Sequence, residues 1–172
     1  LYGSGLHEVH VAYNWKFGYV VAFYGKGKEA EDWKSAFDKD WVVGTIDYLE
    51  VTDTSILVDD LKTGKWWSKR AKESAQLSFY LMCAWKLYGD NYDYYLSVTH
   101  WPRYPASGKP KRTPPSDRAV SLEALARFES HLVEACASAM NMELNPTEEG
   151  CRFCPARNNC DVAWQYDEVS YG

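Results

Sequence analysis

Residues 8–13 alternate as a strand does, and 41–51 and 55–62 are rich in β-branched and aromatic residues, so that five strands are expected near 8–15, 18–25, 41–51, 55–62 and 93–101. Gly18 and the Gly25–Gly27 region punctuate the first two. The spacing changes to a helical one over 68–88, which ends at Gly89, and again over 121–141. Ser121 followed by Glu123 and Glu129 suits the capped, acidic start of that second helix. Residues 28–38 (KEAEDWKSAFD) read as a short helix or an excursion. Strands, a helix, a strand and a helix in that order predict an α/β fold, a mixed central β-sheet flanked by helices. No internal repeat is visible, and the tail after Cys160 carries no readable motif.

The polar break at Thr52-Asp53-Thr54 between 41–51 and 55–62 predicts a hairpin. A turn on Asp53-Thr54 pairs residues whose numbers sum to 107, so Asp47 falls opposite Asp60. Neighbouring strands lie ~4.8 Å apart, close enough for two carboxylates to share one cation. Asp60 and Lys62 share a face of their strand, while Asp59 points the other way. Directly opposed like charges destabilise a sheet unless a cation lies between them, and Mg²⁺ is commonly held by one or two carboxylates and its own waters. A plain surface hairpin with scattered charges is the competing reading. On the following helix Gln76, Tyr80, Cys83 and Leu87 share one face, where a glutamine and a tyrosine need partners.

The ordered motifs Gly44-Thr45-Ile46-Asp47, Asp60-Leu61-Lys62-Thr63-Gly64 and Gln76-Leu77-Ser78-Phe79-Tyr80 resemble the RecB-like branch of the PD-(D/E)xK nucleases. That branch includes helicase-associated nuclease domains, CRISPR-adaptation exonucleases and phage exonucleases. Cys151-Arg152-Phe153-Cys154-Pro155 and Cys160 resemble the C-terminal part of the iron–sulfur staple of its cluster-bearing members. The resemblance covers residues 8 to 160 and implies a restriction-endonuclease-like core. It further implies Mg²⁺ or Mn²⁺ held by Asp47, Asp60 and the Leu61 carbonyl, with Lys62 positioning water or stabilising developing charge. Gln76 and Tyr80 would then orient the site or contact the DNA backbone, and Cys151, Cys154 and Cys160 would bind a [4Fe–4S] cluster.

The chain departs from the family pattern in two places. Gly3-Ser4-Gly5-Leu6-His7 looks like the family's Gly-x-x-x-His, but a strand follows at once, leaving no room for the usual helix. The chain lacks an initiator Met, and the expectation is that it starts inside the domain, with Glu8 a better metal ligand than His7 and His10 a solvated strand residue. The second departure is the fourth cysteine ligand, absent before Cys83. Cys83 reads as core or near-site, and Cys136 as a buried thiol on a helical stripe with Leu122, Leu125, Leu132 and Met140.

Length and composition narrow the choice. A chain of 172 residues with 46% hydrophobic residues reads as a single soluble domain, 1–172, with the cysteine motif at 151–160. No apolar run is long enough for a membrane helix and nothing resembles a signal peptide. Five cysteines, three of them within ten residues, suggest a metal site in a reducing, cytoplasmic setting. A zinc site is the alternative to a cluster, since both favour four ligands rich in thiolate.

A net charge of −5 argues against a passive nucleic-acid coat but leaves local basic clusters free to contact phosphate. One such cluster is Lys62, Lys65, Lys69, Arg70 and Lys72 with Trp66 and Trp67 among them, a pattern that can stack bases or merely begin a solvated helix. Another is the segment from Pro102 to Arg118, whose five prolines predict an irregular exposed loop or a strand-guiding flap.

These readings converge on a metal-dependent DNA exonuclease of a phage, repair or recombination system, with DNA as partner, a helicase or recombination partner left open, and no membrane. The competing classes are a non-catalytic nucleic-acid-binding module of the same fold and a zinc-binding interaction protein.

Overall fold

In the computed structural model, residues 5–63, 74–103 and 108–141 are described. The chain divides into two compact units, Leu1–Val133 and Glu134–Gly172. Of the second, the description covers only the end of one helix.

The first unit is built on six strands: β1 (Leu6–Asn14), β2 (Tyr19–Phe23), β3 (Trp41–Val51), β4 (Ser55–Leu61), β5 (Tyr94–Trp101) and β6 (Lys111–Arg112). They form one sheet in the order β2-β1-β3-β4-β5-β6. Every described pairing is antiparallel except β4 with β5, which run parallel. Helices α1 (Lys28–Ser35), α2 (Ala75–Tyr88) and α3 (Leu122–Met140) complete the described elements, with a short 3₁₀ turn at Pro115–Asp117. The parallel pair follows from its connection, because a crossover that contains a helix returns the chain to the same end of the sheet. The result is the mixed sheet flanked by helices that the order of elements predicts.

All five predicted strands are present. The expected break at 52–54 is a tight turn, in which Thr52 N–H donates to the Ser55 carbonyl at 2.8 Å. β3 and β4 then pair from Val51↔Ile56 to Tyr48↔Asp59, the register that this turn sets.

Helix α2 starts later than the predicted Ser68. Ser74, in an extended conformation, caps it by accepting from Leu77 N–H, and Gly89 closes it at φ 93. Leu77, Leu81, Met82 and Ala84 are buried with Ile46, Leu49, Ile56 and Val58. At the start of α3, Ser121 Oγ accepts from Ala124 N–H at 3.2 Å, the expected cap.

Two expectations need correction. His10 is not solvated but 6% exposed, because α1 covers the side of the sheet opposite α2. Its ring sits near Phe23 and Trp33 and bonds to Thr45 Oγ1 and the Gly25 carbonyl. Burial and the nearby Lys34 lower its pKa, which favours the neutral ring. The Pro102–Arg118 segment is not wholly irregular. Lys111 and Arg112 pair with Trp101 and His100, and Thr113 N–H donates to the Thr99 carbonyl at 3.1 Å. Of the two readings of 28–38, the short helix is the one present, over Lys28–Ser35.

Candidate active site

The site forms where β3, β4 and the first turns of α2 meet. Two local features bring its carboxylates to one side. The first is a change of phase in β3. Ile46 and Leu49 both belong to the core, although they are three positions apart, an odd offset that strict alternation would place on opposite faces. Pairing of β3 with β1 is recorded at Val9↔Ile46 and His7↔Tyr48 but skips the Glu8 and Asp47 level between them. There Glu8 has φ 54, a positive value found at no other described residue except glycine. An irregularity of this kind re-aims the side chains beside it. Asp47 is two residues from Leu49 and so shares its inward side. Strict alternation from Ile46 would have turned Asp47 away.

The second feature is the glycine of the Gly-x-x-Asp motif. A Cβ on Gly44 would lie 2.7 Å from the Tyr80 ring and 3.1 Å from Phe79. The glycine therefore lets α2 approach β3 closely enough for its first turns to reach the end of β4.

The side chains then form a continuous chain of contacts. Asp47 Oδ2 accepts from Leu61 N–H at 2.7 Å, which fixes its carboxylate against the end of β4. Lys62 Nζ lies 2.7 Å from Asp60 Oδ2 and donates to Gln76 Oε1 at 3.1 Å. Gln76 Nε2 donates to Tyr80 Oη at 3.1 Å. The predicted partners Asp47, Asp60, Leu61, Lys62, Gln76 and Tyr80 are thus assembled in one place. Asp60 is 5% exposed and Lys62 is 40% exposed, so a buried carboxylate is paired with an ammonium group that reaches solvent. Burial pushes the Asp60 pKa up, Lys62 opposes that, and the charge of Asp47 adds to the rise.

That repulsion bears on the metal. Two neighbouring carboxylates, with Lys62 as their described counter-charge, suit a hard divalent cation. No group of three or more His, Cys, Asp or Glu residues able to hold a metal is present among the described residues. Two carboxylates, completed by water and substrate oxygen, are a donor set of the kind Mg²⁺ or Mn²⁺ takes.

Glu8 is level with Asp47 in the register, but its exposed carboxylate lies 3.6 Å from Lys26 Nζ. His7 pairs with Tyr48, its ring 5.1 Å from the tyrosine ring, in the row that continues to Asp59 on the reverse side. Cys83 is fully buried in the core, and burial raises its thiol pKa. Cys136 is half-buried in α3. Cys151, Cys154 and Cys160, Gly64, and the basic cluster from Lys65 to Lys72 with its two tryptophans lie outside the described residues.

Sequence reasoning missed the counterion of Asp59. This carboxylate is 1% exposed and is ion-paired with the Arg112 guanidinium from β6. Burial nevertheless raises its pKa to about 6. Alternation along β4 already required a partner for Asp59 on the reverse face, but a two-residue strand has no period by which to find it.

A family model for the PD-(D/E)XK nuclease superfamily matches residues 6–161. The chain belongs to that superfamily, and membership points to metal-dependent nuclease activity. Among curated proteins none is significantly similar to the chain. A solved structure of a protein designated SSO0001 is similar at a TM-score of 0.44 and 14% identity, over 73% of this chain and 54% of that one. The chain thus spans about half the length of that protein. No described helix is long and apolar enough to cross a membrane.

Proposed function

We propose that the chain is a Mg²⁺- or Mn²⁺-dependent deoxyribonuclease that degrades DNA from its ends, in a phage or in a repair or recombination system. The observation that carries this reading is the ion pair of Lys62 with Asp60, steadied by Gln76 beside the anchored carboxylate of Asp47. Asp47, Asp60 and the Leu61 carbonyl would hold the cation, with Glu8 free to join if it leaves Lys26. When bound, the cation supplies Lewis acidity and a more acidic water. Lys62 offers a positive charge on a side chain that Gln76 steers, suited to stabilising negative charge that builds on a phosphate oxygen. Tyr80 holds Gln76 in place from the helix.

Digestion of linear against closed circular duplex DNA with added Mg²⁺ tests the reading. Loss of linear DNA alone supports an end-dependent exonuclease. Nicking of the circle replaces it with an endonuclease, and binding without cleavage replaces it with a binding module. A helicase partner would appear as stimulation on long duplexes.

The C-x₂-C-x₅-C motif supports a further part of the reading, a [4Fe–4S] cluster on Cys151, Cys154 and Cys160 that orders the C-terminal segment. Elemental analysis of anaerobically prepared protein decides it: iron and sulfide support the cluster, while stoichiometric zinc without iron replaces it with a zinc staple.

A further inference from the structure

Asp59 and Arg112 form an ion pair that the nuclease reading does not use. It lies on the reverse side of β4, directly behind Asp60. Asp59 is 1% exposed, whereas the side chain of Arg112 keeps 38% of its exposure. One carboxylate oxygen meets the guanidinium, and the other, Oδ1, is buried without a hydrogen-bond partner. A half-satisfied buried carboxylate is a costly way to fill a strand position, and an apolar side chain of similar volume would commonly serve stability as well or better. The pair is therefore a weak device for holding the fold, which leaves room for another role.

The geometry supplies one. β4 is the strand that carries Asp60, and it ends one residue later at Leu61. Past Leu61 the ladder continues through Lys62 N–H, which donates to the His100 carbonyl at 2.9 Å. Arg112 is tied in turn. It pairs with His100, and the adjacent Thr113 is buried and bonded to Thr99, the residue paired with Asp60. Arg118 Nε donates to the Thr113 carbonyl at 2.8 Å, which braces the segment further. A rotation of β4 about its axis would move Asp59 and Asp60 together, in opposite directions. A guanidinium that holds Asp59 on the back resists that rotation on the front.

We infer that Arg112 is a positioning residue, which acts through Asp59 to fix the direction in which Asp60 presents its carboxylate to the cation. This rests on the metal-site reading above. Partners at one remove from a metal ligand typically change metal affinity by ~10-fold or more when removed, while leaving the ligand in place.

The test is Mn²⁺ binding to the full 172-residue chain, read by calorimetry or electron paramagnetic resonance, together with thermal unfolding. The double variant Asp59→Asn with Arg112→Met buries no charge and so keeps the protein folded. It is expected to bind Mn²⁺ about 10-fold more weakly without a lower melting temperature. Arg112→Lys, which keeps the charge but loses the planar fork, is expected to fall between it and the unmodified protein. Affinity within about twofold of the unmodified protein in the folded double variant, well short of the expected change, overturns the inference. Asp60→Asn is the control: if it binds Mn²⁺ normally, the metal-site reading itself fails and the positioning role falls with it. If Asp60→Asn loses binding while the double variant does not, only the positioning role is lost.

Discussion

Asp59 and Asp60 are the same residue type, adjacent in one strand, and the sheet gives them opposite tasks. Asp60 faces α2, with Asp47 nearby and the partly exposed Lys62 as its counterion. Asp59 faces away, with Arg112 as its counterion. Both are buried and burial raises both pKa values, so burial does not distinguish them. What differs is the company. On the front, a second carboxylate and a single-point cation on a flexible stem leave a site that a metal and a phosphate can enter. On the back, a planar guanidinium braced through β6 leaves nothing to enter. Under the proposed reading, a strand that alternates its side chains holds a metal-binding carboxylate on one face and its mechanical support on the other.

The sharpest way to break this comparison is to remove Asp60. Asp60→Ala takes away one of the two proposed metal carboxylates, and Mg²⁺-dependent cleavage is expected to fall below detection while circular dichroism and the melting curve stay close to those of the unmodified protein. If an Asp59 variant loses activity as completely as Asp60→Ala while remaining folded, the division of the two faces is wrong.

The reverse face has its own signature, which is stability against pH. The Asp59 carboxyl titrates at about 6 in the folded protein against 3.8 as a free group. The folded state therefore still holds this proton in a pH range where the unfolded chain has released it. By linkage, stability falls as pH rises from 3.8 through about 6 and then levels off. A shift of that size corresponds to roughly 3 kcal/mol as an upper figure, and the rise at Asp60 acts in the same direction. In metal-free protein under chelator, urea unfolding between about pH 4.5 and 7 is expected to show this decline. Asp59→Asn should flatten it and leave stability at neutral pH equal or higher. An unchanged slope in Asp59→Asn would assign the decline elsewhere.

Lys62→Ala sharpens the front face. Loss of an electrostatic stabiliser of the transition state typically costs ~10²-fold in turnover, about 2.7 kcal/mol. Mn²⁺ affinity should change little, because the lysine is a counterion and not a ligand. Recovery of full rate at high Mg²⁺ would show instead that Lys62 acts on metal binding.

The two faces also differ in how far the sequence revealed them. The front face was legible because its geometry is local. Thr52 to Thr54 fix the turn, the turn fixes a register recorded as far as Tyr48↔Asp59, and Asp47 beyond it reaches the end of β4 by accepting from Leu61 N–H. Gln76 and Tyr80 follow from one helical turn. Even there, the phase change at Asp47 left no trace in the pattern, because it depends on the backbone of Glu8 in another strand. The reverse face depends on contacts distant in sequence. Asp59 meets Arg112 across the parallel β5, and the prolines around Arg112 speak for a loop. His10 failed for a related reason: alternation correctly set it opposite Val9 and Val11, but only the packing of α1 decides whether that opposite side is wet.

The smallest effect belongs to Gln76, and it tests whether the front-face contacts form a relay or merely coincide. Gln76 is the sole link, among the described contacts, between Lys62 and Tyr80. It is solvent-exposed, so its hydrogen bond to the ammonium competes with water and is worth about 1 kcal/mol. Gln76→Ala leaves Lys62 its ion pair with Asp60 but frees the ammonium to swing. Turnover is then expected to fall by ~5-fold, with Mn²⁺ affinity and melting temperature unchanged. In a Lys62→Ala background the same substitution should cost almost nothing further, because its effect passes through the lysine. If the two losses multiply instead, Gln76 acts on the substrate directly, and Lys62 owes its position to Asp60 alone.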